Sequence, residues 1–292
     1  MNLNHTRLIL VEGIPGSGKT STATYIKDWL ERGGIPTQLY LEGDVNHPAD
    51  YEYVACLGIK EYGELKDKFP ELTDVLDQVT DDVQEYKLTS YGKLQEQIDT
   101  ETYKDLIDAL RQSDVYNLSL DLYQELTVEK WQQFVREVQQ TRETVVLECC
   151  FMQNPVTMMF GRFNCPEEKI IDFIKRLEQI IIPLNPKLIY FYQDDIRSTI
   201  ERVKKERSAE WLRHLIWYFT EQGYGKENEY QGLNGVYEVL KKRKEYELNI
   251  VDQLDMNTIS MNNSAFHWDV VLQDVRDFLH GEDGMTRTLR EE

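Results

Sequence analysis

The sequence predicts an α/β fold: an open parallel sheet between two layers of helices, with a helical insertion after the second strand. Three observations predict it. An apolar run of strand length, "LILV" at residues 8–11, leads into a glycine-rich loop and then a helix. Apolar strand runs and one-sided helices then alternate along the chain, the pattern of a parallel sheet covered on both faces. Between the second and third strand runs, residues 45–140 read as helical and strongly acidic.

The first strand, residues 8–11, has no polar residue, as suits a strand buried on both faces. The loop after it, Gly13-Ile14-Pro15-Gly16-Ser17-Gly18-Lys19-Thr20, fills every fixed position of G-x-x-x-x-G-K-[ST] and stands in the required order of strand, loop, helix. Its glycines let the backbone turn sharply and bring N–H groups close to phosphate oxygens. The helix starting near Lys19 adds the positive end of its dipole. By this chemistry the loop binds a nucleoside triphosphate through Gly13, Pro15, Gly16, Ser17, Gly18, Lys19, Thr20 and Ser21. Lys19 reaches the β- and γ-phosphates, and the Thr20 hydroxyl holds Mg2+. In the helix over 20–30, Ala23, Ile26 and Leu30 share one face, and Gly33-Gly34 stops it.

Residues 35–41, "IPTQLYL", read as a second strand, with Glu42, Gly43 and Asp44 at its end. The stretch 45–140 holds nine Lys/Arg against 21 Asp/Glu, a net −12 of the total −19. Within it Trp131, Phe134, Val135 and Val138 follow helical spacing on one apolar face. A third strand runs over 144–150, "TVVLECC". Glu148 interrupts that apolar run, and a buried carboxylate is costly unless paired or near a metal; the alternative is that alternation turns it to the surface.

A helix from Pro166 places Ile170, Ile174, Leu177 and Ile181 on one face, and a strand over 188–192, "LIYFY", ends at Gln193 and Asp194. The helix from Asp195 buries Ile196, Ile200 and Val203 and carries Arg197, Arg202, Lys204, Lys205 and Arg207. Residues 217–226, "WYFTEQGYGK", read as a mobile lid tip, a stacking loop or a tight packed turn. A helical stretch over 233–254, a short strand over 257–263 and a last helix burying Val271, Val275, Phe278 and Leu279 follow. This divides the chain into a core of 1–44 with 141–281, an insertion of 45–140, and a charged, disordered tail of 282–292. In such sheets ligands bind beyond the carboxyl ends of the strands, which would gather Glu42, Asp44, Glu148, Gln193 and Asp194.

A chain of 292 residues can bury one sizeable domain with an insertion. Its formal charge of −19 argues against sequence-independent binding of DNA or RNA, which needs a basic footprint. No apolar stretch approaches the ~20 residues that span a membrane, and the amino terminus reads as a core strand rather than an export signal. Cys56, Cys149, Cys150 and Cys165 show no metal or disulfide spacing, and Cys149 and Cys150 read as small buried residues on a strand. These features predict a cytoplasmic protein with a small-molecule partner; a homodimer is left open.

With these residues in place, the chain resembles the P-loop kinases of the nucleoside and nucleotide kinase type, thymidylate kinase among them, on "GIPGSGKT" and the core strands. It resembles more closely a group of uncharacterised bacterial P-loop ATP-binding proteins sharing "GIPGSGKT", "LECCFMQNP", "LNPKLIYFYQ" and "EQGYGK" across nearly the whole chain, a group that brings no known activity. The kinase resemblance implies a P-loop NTPase three-layer sandwich whose insertion covers an acceptor. It also implies transfer of phosphate from ATP with Mg2+.

The same resemblance gives roles to Lys19, Asp44, Glu148, Arg202 and Arg207. A carboxylate just after the second strand orients or deprotonates the acceptor hydroxyl. Asp44 or Glu42 matches, Asp44 slightly favoured, though either is also readable as a solvated strand-end acid. Glu148 joins Thr20 on Mg2+ or acts in catalysis. Arg202, Lys205 and Arg207 match the basic lid that stabilises transition-state charge; the alternative is an exposed face paired with Glu201 and Glu206. The "MNNS" loop, 261–264, lies where such kinases contact the base, or is only a turn.

Two departures bear on the acceptor. The insertion holds only Arg111 and Arg136 as arginines, and no arginine directly follows Glu148. Both point away from a nucleoside monophosphate and toward a neutral or cationic acceptor such as a nucleoside, sugar or aminoglycoside-like metabolite, with Gln153 and Asn154 offering neutral hydrogen bonds. The expected function is therefore small-molecule phosphotransfer. The alternatives are a nucleotide switch or regulatory ATPase, and a protein that binds ATP without turning it over.

Overall fold

The computed structural model describes residues 5–281, so the tail expected over 282–292 lies outside the described residues. The chain divides into two compact units, Gly43–Lys130 and the described residues on either side of it. The larger unit opens with β1 (Leu8–Gly13), α1 (Lys19–Arg32) and β2 (Thr37–Tyr40). The smaller unit holds β3 (Val54–Gly58), α2 (Ile59–Lys68), α3 (Thr73–Gln78), β4 (Thr80–Val83), β5 (Tyr86–Ser90), α4 (Tyr91–Gln95) and α5 (Lys104–Gln112). The boundary back into the larger unit falls inside α6 (Leu120–Gln140). Then come β6 (Thr144–Glu148), α7 (Gln153–Val156), α8 (Glu167–Ile181), β7 (Lys187–Tyr192) and α9 (Ile196–Val203). The described chain ends with α10 (Ala209–Thr220), α11 (Gly223–Glu227), α12 (Gly232–Val251), β8 (Asn257–Asn262) and α13 (Trp268–His280).

The main sheet has five strands in the order β2-β6-β1-β7-β8, every pair parallel. All six residues of the central β1 are buried, as its unbroken apolar run requires. Alternation sends Ile9 and Val11, with Ile189 and Phe191 of β7, into a cluster with Ala23, Ile26 and Leu30 of α1 and Val271, Val275 and Leu279 of α13. Glu12 and Tyr190, register partners across β1 and β7, belong to the opposite set. The Tyr190 hydroxyl donates to Glu247 of α12 at 2.9 Å. Helices thus cover both faces, and the phosphate loop joins the central strand to its first helix: the P-loop NTPase sandwich that the sequence predicts.

The segment expected to be helical is mixed. It contains a three-stranded antiparallel sheet, β3-β5-β4, over its own core of Ala55, Leu57, Leu72, Leu76, Leu106 and Leu110. Its strands hold only four or five residues each, and consecutive Asp81 and Asp82 of β4 are both exposed, so no period of two shows in the sequence. The unit boundaries also differ from 45–140, because the apolar face of α6 beginning at Trp131 packs with the larger unit: the Trp131 ring lies edge-on to Phe151 at 5.9 Å. No described helix is long and apolar enough to cross a membrane.

Candidate functional site

The loop is built by close packing. β1 ends at Gly13 with φ 139°, where a Cβ would collide with the carbonyl oxygen of Phe191 in β7, so only glycine leaves the sheet here. Gly16, at φ 78°, lies where a Cβ would run into Val203 of α9. The Ile14 carbonyl accepts from the Ser17 N–H at 3.2 Å and from Lys19 Nζ at 3.1 Å. Arg202 Nη2 donates to the Gly16 carbonyl at 2.9 Å, and Asn263 Nδ2 to the Ser17 carbonyl at 2.8 Å. Side chains from α1, α9 and the β8–α13 turn therefore pin the loop from three sides. Pro15 is half-buried, Lys19 is 5% exposed, and Thr20 and Ser21 stand exposed on the first turn of α1.

Glu148 ends β6 and sits beside Val11 in register, 3% exposed. Its Oε1 accepts from the Thr20 hydroxyl at 2.7 Å. β6 stops there, so Cys149 is not a strand residue as expected; it turns out of the sheet with φ 70°. Its thiol donates to Glu42 Oε2 at 3.4 Å, and Gln153 Nε2 donates to Glu42 Oε1 at 3.2 Å. Burial pushes the Cys149 thiol well above its usual range, offset only in part by Lys19. Burial alone would lower the Lys19 ammonium, but Cys149, Glu42, Glu148 and Glu12 outweigh it and hold its pKa above the ordinary lysine value. With that thiol neutral near pH 7, the carboxylates supply the hold.

Glu12 is a site residue that sequence reasoning missed. It is fully buried, and its two oxygens accept the backbone N–H groups of Phe151 (2.8 Å), Met152 (3.2 Å) and Gln153 (2.8 Å). It thereby holds the turn that carries Cys149 and Gln153. Burial raises its carboxyl from the usual 4.5 to about 7, against the pull of those three N–H donors. The signal was a carboxylate closing an otherwise apolar strand.

Four buried polar atoms lack a hydrogen-bond partner at this end of the sheet: Ser17 Oγ, Glu148 Oε2, Gln153 Oε1 and Asn263 Oδ1. Each such atom costs about 1–3 kcal/mol, so their gathering beside the glycine loop fits a polar ligand. Asn263, within the "MNNS" loop, is 1% exposed.

The structure thus brings Lys19, Thr20, Glu148 and Arg202 to one loop. The Arg202 guanidinium also stacks on the Phe266 ring at 3.8 Å. Arg207 is exposed with no side-chain hydrogen bond or ion pair among the described residues, and Lys205 is exposed as well. Glu201 pairs with Tyr237 and Lys204 instead of the lid residues. Asp44 falls in the smaller unit, where its Oδ1 accepts from the Asn46 N–H at 2.8 Å. Residues 217–226 are the end of α10, a two-residue bend and the start of α11, closely packed: a Cβ on Gly223 or Gly225 would strike backbone of Gly161 or Phe219.

No protein-family model matches the chain, and no curated protein matches its sequence. Among solved structures it is similar to thymidylate kinase from Candida albicans, at 12% identity over 95% of this chain and 92% of that one, with a TM-score of 0.44. It is also similar to the YorR protein of Bacillus subtilis, solved with phosphorylated GDP, at 12% identity over 96% and 99%, with a TM-score of 0.42. At that degree of likeness, the fold rests on the strand order and the loop themselves: an α/β P-loop NTPase sandwich around a five-stranded parallel sheet.

Proposed function

We propose that this chain is an ATP- and Mg2+-dependent phosphotransferase acting on a small, neutral or cationic acceptor. One observation carries the reading. The Thr20 hydroxyl and the Glu148 carboxylate, from distant parts of the chain, meet at 2.7 Å beside buried Lys19, with Glu148 Oε2 unpartnered. Hydroxyl and carboxylate oxygens beside a phosphate loop are the hard donors that suit Mg2+. When bound, the ion supplies charge neutralisation on the transferring phosphoryl group.

The remaining roles belong to side chains. Lys19 holds the phosphates and, kept cationic by its carboxylate neighbours, stabilises charge as it spreads in the transition state. Arg202, tethered to the loop carbonyl and the Phe266 ring, adds a second cation. Glu42 and Gln153 offer hydrogen bonds to an acceptor hydroxyl or ammonium, and Asp44 is the second candidate for its base. No arginine lies between Glu148 and Arg162 to hold an acceptor phosphate, which supports the uncharged or cationic class.

The test incubates the protein with γ-labelled ATP, Mg2+ and a panel of nucleosides, sugars and aminoglycosides. Transfer of label to one of them, reduced about 100-fold or more by Lys19→Ala, is the expected result. Label appearing only as inorganic phosphate would overturn phosphotransfer in favour of a nucleotide-driven switch.

A further inference from the structure

A second kind of ligand fits the same end of the sheet. One ligand atom from each of Glu42, Glu148 and Cys149 lies within 4.8 Å of the other two. The Cys149 thiol already points at Glu42 Oε2, 3.4 Å away. Independently, Glu148 Oε2 is buried without a hydrogen-bond partner on a residue only 3% exposed. Glu148 and Cys149 are held by the end of β6 and by the turn that Glu12 fixes, whereas Glu42 is exposed and bonded to Cys149 and Gln153.

We infer that Glu42, Glu148 and Cys149 form a mixed carboxylate–thiolate site for a thiophilic divalent cation of the Zn2+ class, filled when nucleotide is absent. Three protein ligands and one open position for water match how zinc is held outside closed structural sites. Sulfur selects against Mg2+, which takes oxygen ligands. Binding is an exchange: the Cys149 S–H bond breaks, a metal–sulfur bond forms, and the proton leaves to solvent. Because Glu148 also bonds Thr20, an ion held here engages the carboxylate that the phosphotransfer reading gives to Mg2+.

The experiment titrates the nucleotide-free protein with Cd2+ and follows the ultraviolet thiolate-to-metal charge-transfer band, together with proton release. The expected result is a band saturating at one ion per chain with one proton released, unaffected by a large excess of Mg2+. It should be lost in Cys149→Ser at an unchanged unfolding midpoint. Glu42→Gln should weaken Cd2+ by more than about 10-fold, since even outer partners of a metal are worth about 10–100-fold. Absence of the band in the parent protein, or its persistence in Cys149→Ser, overturns the site. No nucleotide or acceptor enters the titration, so its failure would leave phosphotransfer standing.

Discussion

Glu12 is buried completely, yet one residue before the end of the central strand it carries a carboxyl group that three backbone N–H donors address. Its pKa is raised from 4.5 to about 7 by desolvation. A raised acid contributes stability that is present below its unfolded pKa and is lost as pH rises through the folded one. The parent protein should therefore lose about 3 kcal/mol from this group between about pH 4.5 and 7. Urea unfolding across that range, compared with Glu12→Gln, checks it; parallel pH curves would refute the assignment. Gly13→Ala tests a different constraint. With φ 139° and the Phe191 carbonyl in the way, the substitution should destabilise the protein by more than about 1 kcal/mol and weaken nucleotide binding, measurable by thermal unfolding with and without ATP.

Among the elements, α9 decides which basic residues serve the loop. Its inward face of Ile196, Ile200 and Val203 is buried, and Val203 fills the space beside Gly16. That packing delivers Arg202 to the loop carbonyl and leaves Arg207, beyond the end of the helix, in solvent. Under the phosphotransfer reading, Arg202→Ala should lower turnover on the order of 100-fold, while Arg207→Ala stays near the parent. Equal losses in the two variants would show that the lid acts as an undivided basic patch. α1 offers a stability check. Ile26 is fully buried in the cluster beneath the sheet, and Ile26→Ala should cost about 2–5 kcal/mol in urea unfolding.

At the scale of the whole molecule, the second face of the sheet carries a charged core. Arg243 and Glu247 of α12 are 2% and 0% exposed, paired at 2.7 Å, and Glu247 also takes the Tyr190 hydroxyl. Removing one partner strands the other charge. Arg243→Met should cost about 3–5 kcal/mol, and Arg243→Met with Glu247→Met should regain most of it. Equilibrium unfolding of the two variants decides, and similar losses in both would show that packing rather than charge dominates. The net charge of −19 adds self-repulsion spread over the surface, so added salt should raise the unfolding temperature of the parent.

Much was legible in the sequence because it is written locally. Strand, glycine loop and helix occupy one continuous run of residues, the three inner strands β1, β6 and β7 are mostly apolar runs, and the loop's chemistry follows from residue types at fixed spacing. The exceptions are physical too. The strands of the smaller unit are too short to show a period of two, and β6 stops at Glu148 because Cys149 adopts a left-handed turn. What only the tertiary structure decided is partnership. Thr20 finds Glu148 across 128 residues, and Glu12 finds Phe151 across 139. Arg202 bonds the loop while Arg207 stands exposed, although both belong to one basic run. Sequence determines which groups must be buried or turned. Strand register and helix packing determine which of them meet, because hydrogen bonds and ion pairs act over a few ångströms of space whatever their separation along the chain.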